Sequence, residues 1–243
     1  PMIQRLVQIK GRGLILAPTR ELAIQIDEAF KTLTHPFGMK TACLIGGASI
    51  RDQIQALRRS PRVIIATPGR LIDHIEQRIV NLNDIVMLVL DEADRMLDMG
   101  FAPQIAQILR FVPRDRQTML FSATIPREIM EIASKHMKLP LSVEIAPSGT
   151  VAQRVTQEVF IISKEAKIKL LEKVLEQYHG SVLLFSRTKH NSRRLARSIR
   201  DMGHSAAEIH SDRSLAQRRE ALQGFKTGRF RVLVATDIAS RGI

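Results

Sequence analysis

The sequence predicts an α/β fold made of parallel sheets flanked by helices, and three observations lead there. Short apolar runs recur along the chain as LILA (14–17), ACLI (42–45), VIIA (63–66), VMLVL (86–90) and TMLFSA (118–123). Between them, ELAIQIDEAFKTL, GRLIDHIEQ, PQIAQILRFV and PREIMEIASKHM carry apolar residues at helical spacing. Strand-length apolar runs alternating with amphipathic helices describe βα units, whose helices cover a parallel sheet. The third observation is a single interruption and restart. Residues 147–154, inside APSGTVAQRV, gather Pro, Ser, Gly and Thr and read as a linker. After it the expected elements are a strand at VTQEVFII (155–162), a helix from Lys164 to Tyr178, a strand at SVLLF and a basic helix from Lys189 to Met202. A strand at SAAEIH, a further helix and a strand at RVLVAT complete the series. The expected domains are therefore 1–146 and 155–243.

Composition bounds the function. With 243 residues and 44% apolar content the chain fills at least one core. It has no run of about eighteen apolar residues, and PMIQRLVQIKGRG lacks the layout of a signal peptide, so no membrane partner and a cytoplasmic location are expected. The one cysteine, Cys43, cannot form an internal disulfide, which fits a reducing compartment. The formal net charge of +13 raises a polyanion, nucleic acid first, as the expected partner. Residues 1–150 hold 19 basic and 15 acidic side chains and residues 151–243 hold 18 and 9, so the second part is the more basic. A solvated basic surface without a partner accounts for the charge as well.

In open parallel sheets ligands collect at the carboxyl ends of strands, so the polar residues just past each apolar run are the candidates. MLVLDEAD places Asp91, Glu92 and Asp94 there. One such carboxylate can hold Mg²⁺ through its waters while a neighbour takes a proton from an attacking water; Asp91 suits the first task and Glu92 the second. Helix capping by Asp91, with the other acids at the helix start, explains the same residues. APTREL, TPGR and SAT follow three other runs and present Thr19, Arg20, Thr67, Arg70, Ser122 and Thr124. Hydroxyls, guanidinium groups and helix N-termini suit phosphate oxygens and read no bases. Capping is again the competing account, with Thr67 as N-cap before Pro68. Gly46-Gly47 is either a plain turn or a place where backbone approaches a phosphate. In the second half Arg187, Thr188, Thr236, Asp237, Arg241 and Gly242 repeat the arrangement. His210 reads as a surface or turn residue without a catalytic role, and Lys189, Arg193, Arg194, Arg197 and Arg200 read as a solvated helix face in preference to a phosphate-facing one.

PTRELAIQ (18–25), Gly46-Gly47, TPGR (67–70), DEAD (91–94), SAT (122–124), LLFSRT (183–188) and ATDIASRG (235–242) stand in one order across nearly the whole chain. In that order the chain resembles DEAD-box RNA helicases, with a look nearest the bacterial RhlE type. The resemblance implies two RecA-like domains that close on ATP and single-stranded RNA and bend the strand, so that a short duplex separates locally. Carried over by motif, Pro18, Thr19, Arg20, Gly47, Thr67, Gly69 and Arg70 line the RNA path of the first domain, and Arg187 and Thr236 continue it in the second. Asp91 and Glu92 keep the metal and water roles. Asp94 with Ser122 and Thr124 couples hydrolysis to closure, Asp237 faces the ribose, and Arg241 ties the motifs across the cleft. The implied cofactors are ATP and Mg²⁺. The implied partner is RNA, single-stranded or in short duplexes, bound without sequence preference; protein partners are not named by the sequence.

The departures from the family pattern are equally specific. Its members carry G-x-x-x-x-G-K-T upstream, and this sequence has no Gly-Lys pair. The adenine-reading segment before that loop and the arginine-finger motif after Ile243 are missing too, so both domains are expected to be incomplete and this stretch by itself to be ATPase-inactive. The family's usual Gln in the helix after His210 falls at Leu215, with its partner Arg present as Arg218. The competing readings are a non-catalytic RNA-binding or partner-binding module and, last, a DNA helicase or translocase of the wider superfamily.

Overall fold

The computed structural model describes residues 1–144 and 155–236, and the chain divides into two units, Pro1–Val143 and Glu144–Ile243. In the first unit the five apolar runs become parallel strands β1 (Arg12–Leu16), β2 (Thr41–Leu44), β3 (Val63–Ala66), β4 (Ile85–Leu90) and β5 (Gln117–Leu120). They lie in the order β2-β3-β1-β4-β5. The three inner strands read as unbroken apolar sequence because both of their faces are covered; Leu14, Leu16, Ile64, Ile65, Leu88 and Leu90 are all at most 1% exposed. The covering helices are α1 (Met2–Gln8), α2 (Arg20–Thr34), α3 (Ile50–Arg58), α4 (Pro68–Glu76), α5 (Ala93–Asp98), α6 (Ala102–Phe111) and α7 (Arg127–His136). Leu71, Ile75, Met96, Ile105 and Ile108 from α4, α5 and α6 share one core with the sheet. Each such side chain contributes about 1.5–3 kcal/mol on burial.

Register decides where the motifs end up. Leu16 lies opposite Ala66 and Leu90, Ala66 opposite Leu44, and Leu90 opposite Leu120. All five strands therefore stop on one row, and Ala17, Ile45, Thr67, Asp91 and Phe121 leave the sheet at the same edge. Hydrogen bonds extend the ladder one step further. The N–H groups of Ala17, Thr67 and Asp91 donate to Ala66, Leu44 and Leu16 at 3.0 Å each, and that of Phe121 to Leu90 at 2.9 Å. The fifth strand is shorter than the run TMLFSA suggests. It stops at Leu120 because the Phe121 carbonyl accepts from Ala93 N–H at 2.9 Å, at the start of α5.

The second unit has parallel strands β6 (Val182–Ser186), β7 (Ala206–Ile209) and β8 (Val232–Thr236) in the order β6-β8-β7, with helices α8 (Lys167–Gln177), α9 (Lys189–Asp201) and α10 (Leu215–Lys226). Alternation along β8 serves both faces. Val232 and Val234 pack with Leu175, Ala196 and Ile199 of α8 and α9, while Leu233 packs with Ala207, Ile209 and Ala221 on the α10 side. One expected element is not formed. VTQEVFII pairs with no strand among the described residues, and Val159 and Ile161 are 89% and 99% exposed. Alternation marks a segment able to pleat, but a strand exists only where a neighbour supplies ladder partners. The linker 147–154 lies outside the described residues.

Candidate functional site

The turn after β4 builds the acidic part of the site. Glu92, at φ 47° and ψ 54°, is left-handed, a conformation costing a non-glycine residue on the order of 1–3 kcal/mol, and it starts α5. Asp91 Oδ1 accepts from Glu92 N–H at 3.0 Å. Burial pushes the Asp91 carboxyl above the usual range, with that one backbone bond pulling the other way. Glu92 Oε2 lies 3.2 Å from Arg95 Nη1, and the Arg95 side chain is 3% exposed, so a buried cation orients the glutamate. Asp91 does not act as the side-chain cap that competes with its metal role; the N-cap position belongs to Glu92, which makes no capping bond either.

Asp94 is buried and satisfied. Its Oδ2 accepts from Thr124 N–H at 3.0 Å and from Thr124 Oγ1 at 2.9 Å, and its Oδ1 accepts from Arg95 N–H at 3.0 Å. Ser122 Oγ accepts from Asp94 N–H at 3.2 Å and donates to the Thr124 carbonyl at 2.5 Å. Burial raises the carboxyl, but the bonds from Thr124, Arg95 and Ser122 outweigh it and hold Asp94 below the usual carboxylate range. The motifs after β4 and β5, far apart in sequence, thus form one hydrogen-bonded piece.

The ends of β1, β2 and β3 form the basic part. Thr19 N-caps α2, accepting from Leu22 N–H at 3.3 Å, and both it and Pro18 are buried. Arg20 lies over the Gly46-Gly47 turn. A Cβ at Gly47, whose φ is 75°, would come within 2.5 Å of Arg20 Nη1, so the glycines make room for a guanidinium rather than only for a turn. Thr67 is the N-cap residue of α4 before Pro68, where the capping reading puts it, although its hydroxyl makes no capping bond. Gly69 is partly exposed, and a Cβ added there meets nothing within 4 Å. Arg70 reaches the Ala48 carbonyl with Nη1 at 3.4 Å and the Asp73 carboxylate with Nε at 3.3 Å, the latter close enough for charge attraction without hydrogen-bond alignment. Arg20, Gly47, Gly69 and Arg70 are therefore the accessible members, with Pro18, Thr19 and Thr67 shaping the turns beneath.

Two supporting residues carry no signal in the motifs. Gln53 of α3 is 4% exposed and donates to the carbonyls of Ile45 and Ala48 at 3.0 and 3.4 Å, while its Oε1 meets His74 Nε2 at 3.1 Å. Burial, then the nearby Arg70, lowers the His74 pKa, against the opposing pull of Asp73. A neutral His74 thus braces the loop on which Arg20 and Arg70 act.

In the second unit Ser186 pairs with Thr236, so Arg187 leaves the sheet beside Thr236. Arg187 is exposed and Thr236 partly so. Thr188 caps α9 by accepting from Asn191 N–H at 3.2 Å. Arg193, Arg194, Arg197 and Arg200 are exposed, which a solvated face and a phosphate-facing one both require, and Lys189 pairs with Asp212 at 2.9 Å. His210 departs from its surface reading. It is 0% exposed, with Glu208 Oε1 3.6 Å from its Nε2, so the residue after β7 is enclosed by the fold rather than left at its surface. Leu215 opens α10, whose N-terminus is closed by a Ser214–Gln217 capping box. Arg218 is 9% exposed in the same helix. Asp237 and Arg241 lie outside the described residues.

No group of three or more His, Cys, Asp or Glu side chains able to hold a metal occurs among the described residues. Magnesium does not need one, since it keeps most of its waters and is held by one or two carboxylates. Asp91 fits that demand: its carboxyl is partly buried, and only the Glu92 backbone bond favours its charge.

Comparison with known proteins follows the same division. The model described as DEAD/DEAH box helicase matches residues 1–132, and the one described as helicase conserved C-terminal domain matches residues 166–243. The chain is 38% identical to the ATP-dependent rRNA helicase RRP3 of Debaryomyces hansenii, over all of this chain and 52% of that protein. It is 39% identical to the ATP-dependent RNA helicase CshA of Listeria monocytogenes, over all of this chain and 47% of that one. Among solved structures, S. cerevisiae Dbp5 bound to RNA and ADP BeF3 superposes with a TM-score of 0.83 at 28% identity, covering 96% of this chain and 60% of that one. The chain spans about half the length of the curated relatives it matches.

Proposed function

This chain belongs to the DEAD/DEAH box helicase family, and from that premise we propose that its protein is an ATP-dependent RNA helicase that grips the RNA backbone and separates short duplexes locally. Each unit is an α/β domain of the RecA-like kind, with a parallel sheet flanked by helices. The observation that carries the proposal is the row of strand ends in the first unit. It sets a carboxylate turn and a basic, hydroxyl-bearing edge side by side, joined to SAT through Asp94.

Arg20 and Arg70 supply positive charge to phosphates, and Gly47 and Gly69 let backbone come close; none of the four addresses a base edge, so binding has no sequence preference. Arg187 and Thr236 continue the contact in the second unit. Asp91 would hold Mg²⁺ through water, and the ion would supply charge neutralisation at the phosphates. Glu92, oriented by Arg95, accepts the proton of the attacking water. Asp94, locked to Thr124 and Ser122, transmits a shift of the acidic turn to the strand beside it. Asp237 toward the ribose and Arg241 between motifs are assigned by motif alone, as is the RhlE-type subfamily. A cytoplasmic location fits the lone cysteine, and no helix among the described residues is long and apolar enough to cross a membrane.

The test needs a polypeptide that carries this chain together with a G-x-x-x-x-G-K-T segment. There Glu92→Gln should retain ATP and RNA binding while RNA-stimulated turnover falls by roughly 10² or more. Turnover within about twofold of the parent rejects the role of Glu92. RNA binding that ignores ATP in the parent itself favours the non-catalytic module instead.

A further inference from the structure

A second basic site lies at the opposite edge of the first sheet. Helices α6 and α7 both end there, and β5 begins there, because in βα alternation helix C-termini and strand N-termini share one edge. β5 is four residues long, so at about 3.3 Å per residue this edge is roughly 13 Å from the SAT turn. A cavity of about 550 Å³ opens among Arg110, Arg114, Arg116, Lys135, His136 and Lys138, over an apolar floor that includes Leu109 and Val112. That volume lies within the range of small-ligand sites.

Two features distinguish the cavity from an ordinary solvated surface. The first is unbalanced charge. Cations near helix C-termini offset the dipoles, but two such ends together carry only about one negative charge. Among the described residues the ion pair these cations make is Lys138 with Asp115 at 3.5 Å, between side chains 75% and 102% exposed, which is worth little. The second is a fixed, partly dry guanidinium. Arg116 donates to the carbonyls of Pro113 and His136 at 2.5 and 3.4 Å, and its Nε is buried without a hydrogen-bond partner. Burial lowers the His136 pKa, and Arg116, Lys135 and Arg114 lower it further, so these positive groups converge on one place.

We propose that this cavity binds a compact, multiply charged phosphate anion, either free or as the triphosphate of a nucleotide. Cations that converge from the end of α6, the 112–116 loop and the end of α7 suit charges held close together on a small ligand. A nucleic-acid backbone spreads its charges along a line and calls for a stripe of cations rather than a hollow. The site is separate from the strand ends assigned to RNA, and it uses none of their residues.

The probe is inorganic tripolyphosphate, titrated calorimetrically into the 243-residue chain at low salt, with ATP titrated in parallel. The exposed pair Arg114→Ala with Lys138→Ala leaves Arg116 and the core untouched, and circular dichroism checks that the fold is kept. One-to-one binding of tripolyphosphate, weakened on the order of tenfold by the pair and unaffected by Arg20→Ala, supports the site. Tighter binding of tripolyphosphate assigns the free anion, and tighter binding of ATP that the pair weakens assigns a nucleotide triphosphate. Bound anion should also raise the His136 pKa by neutralising its neighbours, read by proton NMR. No binding at millimolar tripolyphosphate, binding indifferent to the pair, or a matching loss of single-stranded RNA binding in the pair overturns the proposal; the last outcome makes the face part of the RNA surface.

Discussion

Replacing Asp94 by Asn tests the link between the DEAD and SAT motifs, because the side chain keeps its shape and loses only its charge and one acceptor. The carboxylate accepts three bonds, two from Thr124 and one from Arg95 N–H. An amide offers one oxygen and one NH2. Turned to keep both Thr124 bonds, it sets its NH2 against Arg95 N–H and leaves a buried donor unsatisfied, at about 1–3 kcal/mol. The two bonds that survive weaken, since charge-assisted bonds are roughly twice as strong as neutral ones. Relief of the carboxylate's burial offsets part of this, so the net loss should be about 2 kcal/mol. With a slope of about 2 kcal/mol per molar urea, the midpoint of the first unit's transition, followed by far-ultraviolet circular dichroism, should fall by about 1 M at pH 7. The pH dependence gives a second check. Asp94 is depressed in the folded protein, so its stabilisation is present above its unfolded pKa of about 3.9 and is lost as pH falls through the folded value. The variant and parent should therefore converge in acid. A midpoint shift under about 0.2 M at pH 7, or an equal difference at pH 7 and in acid, refutes the coupling as described.

Gly69→Ala should leave the fold as stable or raise stability by about 0.5–1 kcal/mol, because the position is helical with free space around its Cα, yet it should weaken single-stranded RNA binding; a stabilised variant with parental affinity removes Gly69 from the RNA path. Arg20→Ala or Arg70→Ala, in the longer polypeptide with a non-hydrolysable ATP analogue, should weaken binding alike for unrelated oligonucleotides and flatten the slope of log K against log salt by about 0.7 each. Fluorescence anisotropy at several salt concentrations measures this, and unchanged affinity and slope would assign both arginines to packing of the Gly46-Gly47 loop. The 243-residue polypeptide alone, with no Gly-Lys pair to cradle the phosphates, should show background ATP turnover with or without RNA; an RNA-stimulated rate like that of an intact helicase contradicts this.

The sequence by itself determined the fold class and the location of most site residues. Unbroken apolar runs such as VIIA and VMLVL, alternating with amphipathic helical segments, read as strands covered on both faces, and the polar residues that follow then lie at strand ends whatever the sheet order. It could not show that the ends align. That follows from register, Leu16 opposite both Ala66 and Leu90, which depends on long-range pairing rather than on local pattern. The same limit explains the misses. VTQEVFII has a strand's composition but pairs with no strand among the described residues, and His210 looks like a turn residue until the folded chain encloses it. Competition between capping and ligand roles was likewise open in the sequence, since one hydroxyl suits both. Tertiary structure gave Thr19 its capping bond and left Thr67, at the N-cap of α4, without one, because such a bond depends on a few tenths of an ångström that neighbouring turns dictate. The buried bracing of the loop by Gln53 and His74, and the convergence of cations where two helices end, were invisible for one physical reason: both are contacts between segments whose order in the chain says nothing of their distance in space.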